Sequence, residues 1–94
     1  MSEPVIVIYW RDIPAQVVSG QGRKATRVML PDRFQEAIDR AATRAGLIGS
    51  DEYMAEWRKL QTEEDAVEEV AARLEAEYPD EVLETLVRNY GAGS

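Results

Sequence analysis

The first dense hydrophobic stretch, Val5-Ile6-Val7-Ile8-Tyr9-Trp10, is β-branched and aromatic throughout and does not alternate with polar residues. A short continuous run of this kind predicts a strand buried on both faces and central in its sheet. Arg11-Asp12-Ile13-Pro14 ends or bends it, because proline has no amide to donate and restricts the residue before it. Two further strands are predicted over Ala15–Ser19 and Arg23–Leu30, joined by the hairpin signal Gly20-Gln21-Gly22. In the second of these, Thr26, Val28 and Leu30 share one face, and Ala25, Arg27 and Met29 share the other, which faces solvent.

From Pro31 the period changes from two to 3.6. Phe34, Ala37, Ile38, Ala41 and Ala45 recur on one helical face, with Asp32 beside the positive helix terminus and Gly46 placed to close the helix in a left-handed conformation. Tyr53, Met54, Trp57 and Leu60 also fall at helical spacing, which predicts a second helix over Asp51–Thr62. Thr62-Glu63-Glu64-Asp65 resembles a capping box ahead of a third helix, whose apolar face is Val67, Val70, Ala71, Leu74 and Tyr78. Pro79 stops that helix. A fourth carries Val82, Leu83, Leu86, Val87 and Tyr90, and residues 91–94 are read as a flexible tail. Strands first and helices after predict one α+β domain over residues 1–90, a three-stranded, mostly antiparallel sheet with about four helices packed on it.

Composition narrows the chemistry more than the fold. The 94 residues contain no histidine and no cysteine. That excludes disulfides, zinc fingers, thiol nucleophiles and imidazole bases, so catalysis would rest on carboxylates, lysine, tyrosine, hydroxyls or a bound cofactor. The longest apolar run has six residues, against roughly 20 for a membrane span, and the acidic, proline-containing start lacks a signal-peptide pattern. A cytoplasmic location with no membrane partner is therefore expected. The formal net charge of −7 is uneven. Residues 1–47 hold seven basic and five acidic side chains, a balance of +2, and residues 48–94 hold four and thirteen, a balance of −9. Two surfaces of opposite sign are expected, and nucleic acid is an unsuitable primary ligand for such a chain.

The candidate chemistry sits at the end of the first strand. Trp10, Arg11 and Asp12 join two residue types enriched in interface hot spots to a carboxylate. Two readings fit: a docking site, or an indole packed under the helices with a solvated ion pair beside it. Gln16 and the basic hairpin residues Arg23, Lys24 and Arg27 extend the docking reading. Gly20-Gln21-Gly22-Arg23-Lys24 lacks the spacing and the following helix of a phosphate loop. The acids Glu63, Glu64, Asp65, Glu68 and Glu69 lack the alternation and glycine of a calcium loop, so they are read as a solvated helix start, and no metal site is expected.

Tyr9-Trp10-Arg11-Asp12-Ile13-Pro14-Ala15-Gln16-Val17 resembles a small bacterial family, the virulence-factor domain. The resemblance continues through Leu30–Ala42, Ala45-Gly46-Leu47, Tyr53 and Trp57, covering roughly residues 4–60. In the conserved virulence factor C group a similar domain is joined to HEAT-like repeats and to a segment resembling an iron–sulfur scaffold domain. Such company implies an accessory or adaptor role. It carries over no catalytic residue, cofactor or substrate class. The expected function is a non-catalytic interaction module that docks another protein through Trp10, Arg11, Asp12, Gln16 and the basic hairpin, with no cofactor. The rival is a small-ligand or cofactor-binding protein with Arg11 and Asp12 lining a cleft. A third reading is homo-oligomerisation through the oppositely charged halves.

Overall fold

The computed structural model describes residues 4–20, 26–62 and 66–92. Its elements run β1 (Val5–Trp10), β2 (Ile13–Ser19), β3 (Thr26–Met29), α1 (Asp32–Arg44), α2 (Asp51–Ala55), β4 (Trp57–Gln61), α3 (Val67–Glu77) and α4 (Asp80–Arg88). The class is α+β, as expected, but the sheet has four strands, in the order β3-β2-β1-β4 with every neighbouring pair antiparallel.

The fourth strand corrects the helix predicted over Asp51–Thr62. Only Asp51–Ala55 is helical, and Trp57–Gln61 pairs with β1 from Trp10↔Trp57 to Ile6↔Gln61. The physical reason lies in β1. An apolar strand that is central must have its backbone groups paired on both edges. β2 supplies one partner, and Trp57–Gln61, polar though it is, supplies the other. Trp57 and Leu60 meet a helical period only because three residues are too few to separate it from a strand.

Arg11 and Asp12 form a two-residue turn between β1 and β2. Pro14 does not end a strand but lies inside β2, opposite Tyr9, where the register shifts between Ile8 and Tyr9. A bulge of this kind is where an interior strand tolerates a residue without an amide hydrogen.

Register and alternation divide the side chains between two faces. Val5, Val7, Tyr9, Val17, Val28 and Leu60 fall on one, and Ile6, Ile8, Trp10, Gln16, Val18, Arg27, Met29, Trp57, Lys59 and Gln61 on the other. The first face meets the helices. Val5, Val7 and Val17 share one buried cluster with Phe34, Ile38 and Ala41 of α1, Val70 and Leu74 of α3, and Leu83, Leu86 and Val87 of α4. Each large side chain fully buried there contributes about 1.5–3 kcal/mol.

The helix ends follow local rules. Gly46, at φ +72°, closes α1 in a Schellman arrangement, with Gly46 N–H donating to the Thr43 carbonyl and Leu47 N–H to the Ala42 carbonyl. α4 ends the same way with Tyr90 in the left-handed position. Tyr90 N–H donates to Val87 and Gly91 N–H to Leu86. The tail expected to loosen at Gly91 is thus tied there. Gly91 is buried, and its carbonyl accepts a 2.9 Å hydrogen bond from the Asp12 amide. Gln21 and Gly22 of the predicted turn tip and the last three residues of the Thr62–Asp65 capping box lie outside the described residues, while Gly20 takes a positive φ of 85°. α3 itself begins after Ala66.

Candidate interaction surface

Trp10 is fully buried, at 0% exposure, as is Phe34. Its indole N–H donates to the Tyr53 carbonyl at 2.9 Å, and its ring lies 5.8 Å from that of Tyr53. Trp57 meets Tyr53 edge to face at 6.2 Å. A Cβ placed on Gly91 would come within 2.8 Å of the Trp10 ring, so only glycine lets the C-terminal turn close on the indole. A side chain with no exposed area cannot act as an aromatic docking anchor. Trp10 instead fastens α2 and the end of α4 to the sheet.

Arg11 and Asp12 serve the same junction. Arg11 is held at φ 53°, a left-handed conformation costly for a residue with a side chain. Its guanidinium donates to the Tyr90 carbonyl at 2.7 Å and lies 3.5 Å from the Glu56 carboxylate, while its amide donates to the Glu56 carbonyl. Asp12 pairs with Arg58. Both side chains are thus engaged within the molecule.

Asp12 also borders a groove of about 530 Å³ on the helix side of the sheet, lined by Tyr9, Arg58, Leu60, Glu77, Tyr78, Val82 and Leu86 as well. Arg11 is not among the walls of this groove. Burial is the main cause that pushes the Tyr9 and Tyr78 hydroxyls above the ordinary phenol range, which keeps both protonated through neutral pH.

The other two described candidates, Gln16 and Arg27, meet on the second face of the sheet. That face has a half-buried apolar centre of Ile6, Ile8 and Val18, with Met29 59% exposed beside Gln16. α2 covers one end of it through the Trp10–Tyr53–Trp57 cluster. Arg27 on β3 and Lys59 on β4 stand at its opposite edges. Among the described residues this face bears no carboxylate, and neither cation has a salt-bridge partner. The Gln16 Oε1 is buried and accepts no hydrogen bond, an uncommon condition for a native polar atom. Arg23 and Lys24 lie outside the described residues. Ile6, Ile8, Val18, Met29 and Lys59 were missed from sequence. Met29 was the available signal, since alternation already set it beside Arg27 on the solvent side of β3. No group of acidic side chains among the described residues is arranged to hold a metal ion, and no described helix is long and apolar enough to cross a membrane.

A four-stranded antiparallel sheet with α1, α3 and α4 on one face and a basic, apolar second face that α2 covers only at one end defines a class of small two-layer α+β domain. The chain belongs to the virulence-factor family, whose model matches residues 8–87. The match runs beyond the residue 60 boundary of the sequence resemblance and takes in α3 and most of α4, so the acidic helices are part of the family domain. No curated protein and no solved structure matches the chain.

Proposed function

We propose that this domain is a non-catalytic interaction module that docks an acidic partner protein on the open face of its sheet. The observation that carries the reading is the sheet's second face, where Ile6, Ile8, Val18 and the exposed Met29 form an apolar centre between Arg27 and Lys59, two cations with no salt-bridge partner among the described residues. An apolar centre with a charged rim is how interfaces are built, and the rim sets the sign of the partner. The orphaned Gln16 Oε1 fits the same account, because a donor on the partner would satisfy it. The reading departs from the sequence expectation in its residues. It keeps Gln16 and Arg27 and replaces Trp10, Arg11 and Asp12 by Ile6, Ile8, Val18, Met29 and Lys59. A cytoplasmic accessory subunit remains the setting we propose.

The test compares native co-purification from the source cell by three forms of the protein. Wild type and Met54→Glu, which alters a methionine 68% exposed on α2, are expected to recover the same partner. Met29→Glu is expected to lose at least about tenfold of it, since a buried unpaired carboxylate costs more than the ~1.4 kcal/mol that tenfold represents. Equal recovery by all three removes the open face from the account. A second copy of the chain as the only captured species assigns the face to self-association instead.

A further inference from the structure

We propose that the outer edge of β4 accepts an extended segment of another protein as a fifth strand, selected by an acidic side chain opposite Lys59 with an apolar side chain on either side of it. Three features of the structure lead to this occupant. β4 is a terminal strand of the sheet. Its pairing with β1 is bracketed by bonds from Arg11 N–H to the Glu56 carbonyl and from Thr62 N–H to the Val5 carbonyl. By the alternation of an antiparallel ladder, Glu56, Arg58, Leu60 and Thr62 turn their backbone groups inward. Trp57, Lys59 and Gln61 therefore present theirs outward, and among the described residues no hydrogen bond meets them.

The helix-side flank of this edge is open, and its walls set apolar groups beside the charged side chains of Asp12, Arg58 and Glu77. Arg58 and Leu60 line the groove of about 530 Å³ together with Tyr9, Tyr78, Val82 and Leu86. Leu60 is 47% and Val82 37% exposed, two large aliphatic side chains lining the same groove. In an added strand, the residues that flank the one opposite Lys59 point to this side and enter the groove. The residue opposite Lys59 itself points to the other face, where the Lys59 ammonium has no carboxylate partner among the described residues. A second copy of β4 is the wrong occupant, because two-fold pairing centred on the free edge sets Lys59 against Lys59.

The probe is a fluorescein-labelled heptapeptide, Thr-Val-Leu-Glu-Leu-Val-Thr, measured by anisotropy against the whole chain. In the expected register its Glu and Val amides bond to β4 and its Leu amides point away. Methylating the Glu amide nitrogen is expected to weaken binding about tenfold, and methylating a Leu amide by less than about threefold. Lys59→Glu is expected to weaken the Glu peptide and to favour the peptide with Lys at its centre. Met29→Glu, which tests the open face, is expected to leave peptide binding unchanged, so the two proposals fail separately. Strand addition is overturned by no binding at ~1 mM peptide, by equal losses from both methylations, or by indifference to Lys59→Glu in protein that circular dichroism shows to be folded.

Discussion

Gly91 shows how much structure one residue can hold. It has φ +92°, lies buried, and touches the Trp10 ring where a methyl group would sit at 2.8 Å. Gly91→Ala therefore combines a left-handed alanine with a clash against an indole that has no room to move. Unfolding in urea should show a loss of about 2–4 kcal/mol, the sum of a backbone cost near 1 and an overpacking cost of 1–3. An unchanged midpoint would mean that the C-terminal turn is not part of the folded unit. From sequence alone, Gly91-Ala92-Gly93-Ser94 reads as a tail, since small residues have no period. The role of Gly91 depends on Trp10, 81 positions earlier, and no local pattern carries that distance. Trp10, Arg11 and Asp12 were legible as an unusual cluster at a strand end. Their use was not, because an aromatic–arginine pair suits a surface anchor and a buried brace equally well until burial is known.

Between elements, α1 and α4 are joined by apolar contacts and by a bidentate pair, Arg40 to Glu84. The hydrogen bond to Arg40 is the first cause that holds the Glu84 carboxyl below the ordinary range. A depressed acid contributes stability above its unfolded pKa and loses it as pH falls through the folded value. The Glu84→Gln variant should accordingly be slightly less stable than wild type at pH 7, and the gap should close below about pH 4. Urea midpoints measured across that range check it, and a gap that persists at pH 3 would assign the effect to packing. A second tie is Arg33, whose guanidinium donates to the Tyr78 and Glu75 carbonyls at the end of α3. Arg33→Ala should lower stability by about 1 kcal/mol, read as an earlier urea midpoint, while Arg33→Lys should recover only part of it because an ammonium cannot span both carbonyls.

Element boundaries were legible wherever the period was long. The 13 residues of α1 and the stop at Gly46 follow directly from spacing and cap chemistry. β4 was not legible, because Trp57-Arg58-Lys59-Leu60-Gln61 has no strand alternation of its own and becomes a strand only by pairing with β1. Yet the position of β1 implied it. An apolar strand read as central needs a neighbour on each side, and β2 is only one.

At the scale of the whole molecule, the uneven charge acquires a geometry. The +2 half supplies β1, β2, β3 and α1, and with Lys59 of β4 it leaves a face with two cations and no described carboxylate. The acidic half supplies α3 and α4 behind the sheet. An interface built on that face should weaken as salt rises, because its rim is charged and exposed. Binding of the partner at 50 mM and 500 mM salt would show this, and affinity that does not fall would leave only the apolar centre in play. The residues that carry the proposal were visible singly, as an apolar strand, a solvent-side methionine and scattered basic residues. Their convergence was not, because it rests on register between strands that lie far apart in the chain.

The most direct measurement is the rate of methionine oxidation by dilute peroxide at Met29 and Met54, which are 59% and 68% exposed in the isolated domain. In purified protein the two should oxidise at similar rates. In extract of the source cell, where the partner is present, Met29 should be protected about tenfold relative to Met54. Equal rates in both settings would contradict docking on the open face.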